Sequence, residues 1–439
     1  MESGLGERRV RYLDGLRGVA CLQVLLLHVL SGYFPGFVQY APESFGNVIR
    51  QSPLFVLYNG WLAVAVFFVL SGYVLTAAYG DVGDTARRIE ARLVRLWIPA
   101  ALFGVIAVLM YFVFPSAHGQ LAEWNGSRFL KSCWNVDASV AGVLLDVLVF
   151  PIFTGYHEGL IAPMIPAAIP SLINAEQAFN GPVWTLSVEM IGSLLVMWLA
   201  FCRRRHGVGW VGSMLIATAA SPMLACFVAG HLAATVNLAD REVLPRRFRT
   251  VVIFALFMAG VYLSGDADSR IRQAVSAMLI FVAIVQSRFA RRILASDICM
   301  SIGSRSVTIY LLHWPFVLGL GAWLLVSLDP VLPWQIARWF VAPAVILIVL
   351  VLSGPLSKID ATAVMLARRI ARNETAGFVA TAMGHLARRS EAPMRYLLVR
   401  DDQITADAQN EQSSPHTVRS PEPASIIVAP PSRPIGRAG

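Results

Sequence analysis

Long apolar runs recur along the whole chain, several exceeding the roughly 18 residues that a helix needs to cross a bilayer. They lie near 18–34, 57–79, 93–114, 183–202, 250–264, 271–286, 303–326 and 335–356. In hydrocarbon each backbone N–H and C=O must be satisfied within its own segment, so runs of this length are read as helices. The charges agree, making up only 14% of the 439 residues, against about a quarter in soluble domains. The predicted fold is all-α, a polytopic transmembrane helical bundle. The formal charge of +9 would suggest nucleic acid in a soluble chain. In a membrane protein Lys and Arg gather in cytoplasmic loops and set orientation, so no nucleic-acid partner is expected.

Charge parity orders the runs. Arg8, Arg9 and Arg11 place the N-terminus inside, before an uncleaved first span, and Arg87, Arg88, Arg92 and Arg95 come back inside after two crossings. Arg203, Arg204 and Arg205 are again inside, so residues 115–182 stay outside or cross an even number of times. The 139–153 run carries Asp146 and is too short to span, which reads as an interfacial or re-entrant element. The 208–237 stretch has basic flanks on both sides and reads as a hairpin broken near Ser221–Pro222. The scheme totals about ten spans with both termini cytoplasmic. Residues 1–357 form the transmembrane domain. Residues 358–400 form a basic cytoplasmic segment, whose interludes Ala363–Leu366 and Phe378–Met383 suit an amphipathic helix on the anionic inner leaflet. Residues 401–439, rich in Ser, Pro, Gln and Asp, are expected to be a disordered tail. The five cysteines are scattered, mostly within apolar runs and without a CxxC pair, which reads as buried packing with neither disulfide nor metal site.

Ionisable groups inside spans carry the functional signal, because each costs on the order of 2.5–3.5 kcal/mol at a helix centre. In the first run Asp14, Arg17 and His28 share one stripe. Arg17 and His28 differ by about 20° around the helix and about 16 Å along it. The plain alternative is an Arg17–Asp14 pair with His28 as a satisfied interior histidine. Arg88, Arg92 and Arg95 follow i, i+4, i+7 and share a face; they are either ordinary positive-inside anchors or an anion site. After Gly181-Pro182, the Trp184–Glu189 segment places Glu189 just inside the fourth run, and Tyr310–Pro315 places His313 in the ninth. Ser71 lies in the second run, where a small residue also serves close helix packing.

Together these segments resemble the acyltransferase-3 family of membrane acyltransferases. The likeness rests on Arg11–Ala20 with Arg17 and His28 in an Arg-x10-His arrangement, Phe67–Leu75, the Arg88/Arg92/Arg95/Pro99 pattern, Trp184-x-Leu-x-x-Glu189 and Tyr310–Pro315, in that order. One departure is Arg305, where the family usually has an uncharged residue. The resemblance implies an acyl-coenzyme A donor, most often acetyl-CoA, and a hydroxyl acceptor on a carbohydrate or lipid-linked sugar, at the inner or plasma membrane among membrane lipid. It implies donor phosphates on Arg17, Arg88, Arg92 and Arg95. It further implies His28 as base or acyl carrier, Glu189 or His313 orienting it or shuttling its proton, and Asp14, Ser71, Trp184 and Tyr310 shaping the site. The rival readings are a transporter or lipid-binding protein with a His/Glu proton relay, which would show no covalent product, and a scaffold without catalysis. No inverted repeat is evident between the halves, which disfavours a common transporter architecture.

Overall fold

The computed structural model describes residues 2–39, 45–79, 85–156, 174–205, 207–239, 246–265 and 269–372, and among these there is no β-strand. The helices are α1 (Glu2–Tyr33), α2 (Phe45–Arg50), α3 (Gly60–Ala78), α4 (Thr85–Val113), α5 (Ala117–Asn125), α6 (Arg128–Ser132) and α7 (Val140–Leu144). After α7 the chain continues π-wound over Leu145–Thr154. There follow α8 (Trp184–Arg205), α9 (Gly207–Ala220), α10 (Pro222–Thr235), α11 (Arg246–Leu263), α12 (Arg270–Gln286), α13 (Arg288–Leu294), α14 (Asp297–Gly303), α15 (Ser306–Pro315), α16 (Ala322–Leu328) and α17 (Trp334–Ala371). The segment Phe378–Met383 and the tail 401–439 lie outside the described residues.

All ten expected crossings are helical, but not all of them are long enough to span by length and composition. Among the described residues six helical segments are long and apolar enough to cross a membrane, or up to seven if the α12–α13 pair, bent by 94°, is one span. The two arms of the hairpin and the α11 region are the short ones, at 10–17 apolar residues. An arm of 14 residues reaches only about 21 Å at 1.5 Å per residue, less than the roughly 30 Å hydrocarbon core. The hairpin itself breaks where its sequence says it should. Ser221 is extended, its Oγ accepts from Met223 N–H, and Pro222 opens α10. Likewise Ser287 ends α12 and caps α13 through Ala290 N–H, which makes the sharp corner.

The 139–153 run is a helix that is not long enough to span, and Asp146 explains its position. That carboxylate is buried and accepts from Tyr156 O–H at 2.8 Å and Phe179 N–H at 2.7 Å. The run is thereby fastened to the segment that leads into α8. Arg305, the departure noted above, hydrogen-bonds Ser301 and the Leu350 carbonyl, tying the end of α14 to α17. The last run is longer than expected: α17 continues unbroken past residue 357 to Ala371.

Lipid tails give no hydrophobic drive between helices, so close packing in this setting needs small residues at the contact. A Cβ on Gly230 of α10 would lie 1.9 Å from the Val69 carbonyl of α3, and one on Gly72 would lie 2.2 Å from the Phe227 carbonyl. These glycines let the two backbones touch, and backbone cannot move aside as a side chain would. Gly230→Leu is therefore expected to exceed the usual overpacking cost of about 1–3 kcal/mol. Thermal unfolding and monodispersity in detergent would check this, and a wild-type melting curve would contradict it.

Candidate active site

Two cavities meet inside the bundle. The first, of about 250 Å³, is lined by Asp14, Arg17, Ser71, Arg92, Arg95, Glu189 and Asp360 among apolar neighbours. The second, of about 580 Å³, contains His28, Trp184 and Trp314 in its wall. Val64 and Tyr310 line both. The Tyr310 hydroxyl lies 3.0 Å from Thr185 Oγ1 and donates to the Pro182 carbonyl at 3.0 Å, so this ring is the partition. Arg17 and His28, on one stripe of α1, thus face into the protein on either side of it.

The first cavity sorts the arginines. Arg17 is paired with Asp14 at 2.9 Å. Arg92, only 7% exposed, donates from Nη2 to Glu189 and from Nε to Ser193 Oγ at 2.9 Å. Ser71 adds a 3.2 Å hydrogen bond to the same carboxylate. Arg95 lines the cavity with no hydrogen bond or ion pair to any described residue. Arg88 lies outside, its guanidinium 5.5 Å from the centre of the Tyr79 ring. The four arginines therefore do not form one equivalent cluster, and Glu189 belongs with them and not with His28.

The histidines form the second centre. Pro315 cannot donate to the helix ladder, and after it the chain becomes π-wound over Phe316–Gly321 before α16. His313, two residues before Pro315 and fully buried, places Nε2 3.0 Å from His28 Nδ1. Proton positions follow from the partners. His313 Nδ1 lies 3.3 Å from the Ile309 carbonyl, which only accepts, so Nδ1 carries the proton and Nε2 is a lone pair. His28 Nδ1 faces that lone pair and the Val24 carbonyl at 2.9 Å, so it too is protonated. His28 Nε2 is left as the unprotonated nitrogen, without a hydrogen-bond partner among the described residues. Replacing His313 by Phe removes one of the two acceptors that hold the Nδ1 proton, the other being the Val24 carbonyl. A lost hydrogen bond of about 1 kcal/mol corresponds to a roughly fivefold to tenfold fall in kcat, with donor KM unchanged; a shift in KM alone would argue against the arrangement.

Sequence reasoning missed several lining residues. Asp360 lies on α17 beyond the expected end of that span, and its signal was a carboxylate in an otherwise basic stretch. Trp314 was read only as part of the Tyr310–Pro315 segment. It stands against His28 with ring centres 5.1 Å apart, edge to face, and its buried indole N–H has no partner among the described residues. Arg50, Arg128, Arg270 and Glu176 line the second cavity; Arg50, Arg128 and Glu176 come from short segments where no apolar period drew notice, and Arg270 sits just before the 271–286 run, as the first residue of α12. Trp184, which was expected, packs on Trp61 with ring centres 5.8 Å apart.

No curated protein and no solved structure shows a significant match to the chain. A family profile described as an acyltransferase domain does match, over residues 10–358, and this range includes every residue of both cavities except Asp360. The apolar helices and that match together make this chain a membrane acyltransferase, and it belongs to the acyltransferase-3 family.

Proposed function

We propose that the protein transfers an acyl group, of acetyl type, from acyl-coenzyme A to a hydroxyl of a carbohydrate or lipid-linked sugar at the cell membrane, with the arginine-lined end cytoplasmic. The observation that carries the reading is the adjacency of two unlike chambers. An arginine-lined cavity suits the phosphates of the donor, and next to it, beyond Tyr310, an unprotonated His28 Nε2 faces a second chamber.

The chemistry follows from that adjacency. The acceptor hydroxyl has a high pKa and attacks only as its proton leaves. His28 Nε2 takes this proton while the hydroxyl oxygen bonds to the thioester carbonyl carbon. The carbon–sulfur bond then breaks, and the imidazolium returns the proton to the departing thiolate, giving an ester and free coenzyme A. The charge on the protonated ring is shared with His313 Nε2, which accepts from His28 Nδ1 throughout. Arg95, which makes no hydrogen bond or ion pair with a described residue, meets the donor phosphates first. Arg92 holds Glu189, and Arg17 adds positive charge beside Asp14.

A proton relay of the transporter kind would link the histidines to Glu189. Among the described residues no hydrogen bond does so; the carboxylate is taken by Arg92 and Ser71. Purified protein given acetyl-CoA and a glycan panel should yield coenzyme A thiol and an acetylated product by mass spectrometry. Transport without covalent product would overturn the reading. Arg95→Ala should raise the donor KM about tenfold to a hundredfold, the range of a lost hydrogen bond to a charged group, with kcat for bound donor little changed.

A further inference from the structure

The wall of the His28 cavity carries more positive charge than catalysis requires. Arg50 at the end of α2, Arg128 at the start of α6 and Arg270 at the start of α12 all line it, against a single carboxylate, Glu176. Three separate segments thus converge their cations on one chamber. These residues belong to the chamber on the far side of Tyr310 from Arg17, Arg92 and Arg95. If the Arg92–Arg95 end is cytoplasmic, they stand at the end where the positive-inside tendency disfavours arginine. Anchoring therefore does not account for them.

Their local settings suit ligand binding. Arg270 lies over the Trp61 ring with its guanidinium carbon 5.3 Å from the centroid. A guanidinium over an aromatic ring is attracted by the ring's π-face without using up its N–H donors on a protein oxygen. Neither Arg270 nor Arg128 makes a side-chain hydrogen bond or ion pair with a described residue. The same wall supplies Trp61 and Trp184, flat surfaces of the kind that pack against sugar rings. A cleft lined mainly by one sign of charge concentrates ligands of the opposite sign.

We infer that the cavity of His28 takes an anionic acceptor, a hydroxylated sugar bearing a carboxylate or phosphate that Arg128 and Arg270 hold while a hydroxyl faces His28. This rests on the acyl-transfer reading for the purpose of the site, but the recognition itself is a binding property. Neutral glycans lack the group that the arginines would engage and should bind less tightly.

The test is equilibrium binding to the full chain in nanodiscs with no acyl donor present, so that it is separable from transfer. The probes are a glucuronate-containing oligosaccharide, the same oligosaccharide with its carboxylates amidated, and a sugar phosphate beside its unphosphorylated sugar. At least one anionic probe should bind about tenfold tighter than its neutral partner, as expected of one charge-assisted pair. Preference for the glucuronate probe assigns a carboxylate, and preference for the sugar phosphate assigns a phosphate. Arg128→Gln with Arg270→Gln should erase the preference while binding of the neutral probe persists, and Arg128→Lys with Arg270→Lys should partly restore it. Equal binding within both pairs, or a preference unchanged by the double glutamine variant, would overturn the inference. The preference should also persist in His28→Ala, so a failure of acyl transfer would leave this result standing, and the converse holds as well.

Discussion

Acyl transfer by His28→Ala is expected to fall about 10²–10⁴-fold, the range of a positioned general base, with the protein folded and its donor affinity close to wild type. The reason is geometric. His28 lines the second cavity, away from the phosphate-suited arginines, and among the described residues its one side-chain hydrogen bond beyond its own helix is the 3.0 Å contact with His313, beside ring contacts with Phe129 and Trp314. Alanine therefore removes the lone pair without disturbing the arginine-lined cavity. His28→Gln keeps a polar side chain of similar reach but supplies no basic nitrogen, so it should be nearly as slow. Steady-state release of coenzyme A, read with glycan mass analysis, gives both numbers. A variant that kept wild-type transfer would remove His28 from the chemistry, whatever its position.

The large features of this architecture could be read from residue order because hydropathy reports directly on length. A run such as 335–356 has nowhere to go but a helix, and Ser221–Pro222 announces its own break through a cap and a missing donor. The stripe shared by Arg17 and His28 was legible for the same reason, since helical geometry converts spacing into direction. What the sequence did not reveal is which groups meet across helices. Arg92 and Glu189 are 97 positions apart, and no periodicity links them, so their ion pair could not be foreseen from spacing. His28 and His313 are 285 apart and were placed in one site only through family likeness. The number of crossings was less legible, because flanking charge shows on which side a segment ends. It does not show whether the 14 residues between can reach the far side.

Separating Glu189 from Arg92 is expected to be the most destabilising change in the arginine-lined cavity. Glu189→Ala leaves a guanidinium that is 7% exposed with Ser193 as its remaining neutral partner. An uncompensated buried charge of this kind costs about 3–5 kcal/mol, enough to shift a detergent melting curve strongly or to abolish recovery. Arg92→Met together with Glu189→Leu removes both charges and fills the space with apolar groups, which is often neutral for stability. The double variant should therefore fold where the single does not. It also divides the roles of the pair: a folded double variant with wild-type donor KM would make the pair purely structural, whereas a raised KM with melting restored would show that Arg92 also contributes charge to the bound donor. Arg88→Ala is the matched control. Its guanidinium rests over Tyr79 outside the cavity, so its removal should change stability by no more than about 0.5 kcal/mol and leave donor KM unchanged. Were Arg88→Ala to weaken the donor as much as Arg95→Ala, the division of the arginines by partner would be wrong, and the simpler cluster expected from their shared helix face would be right.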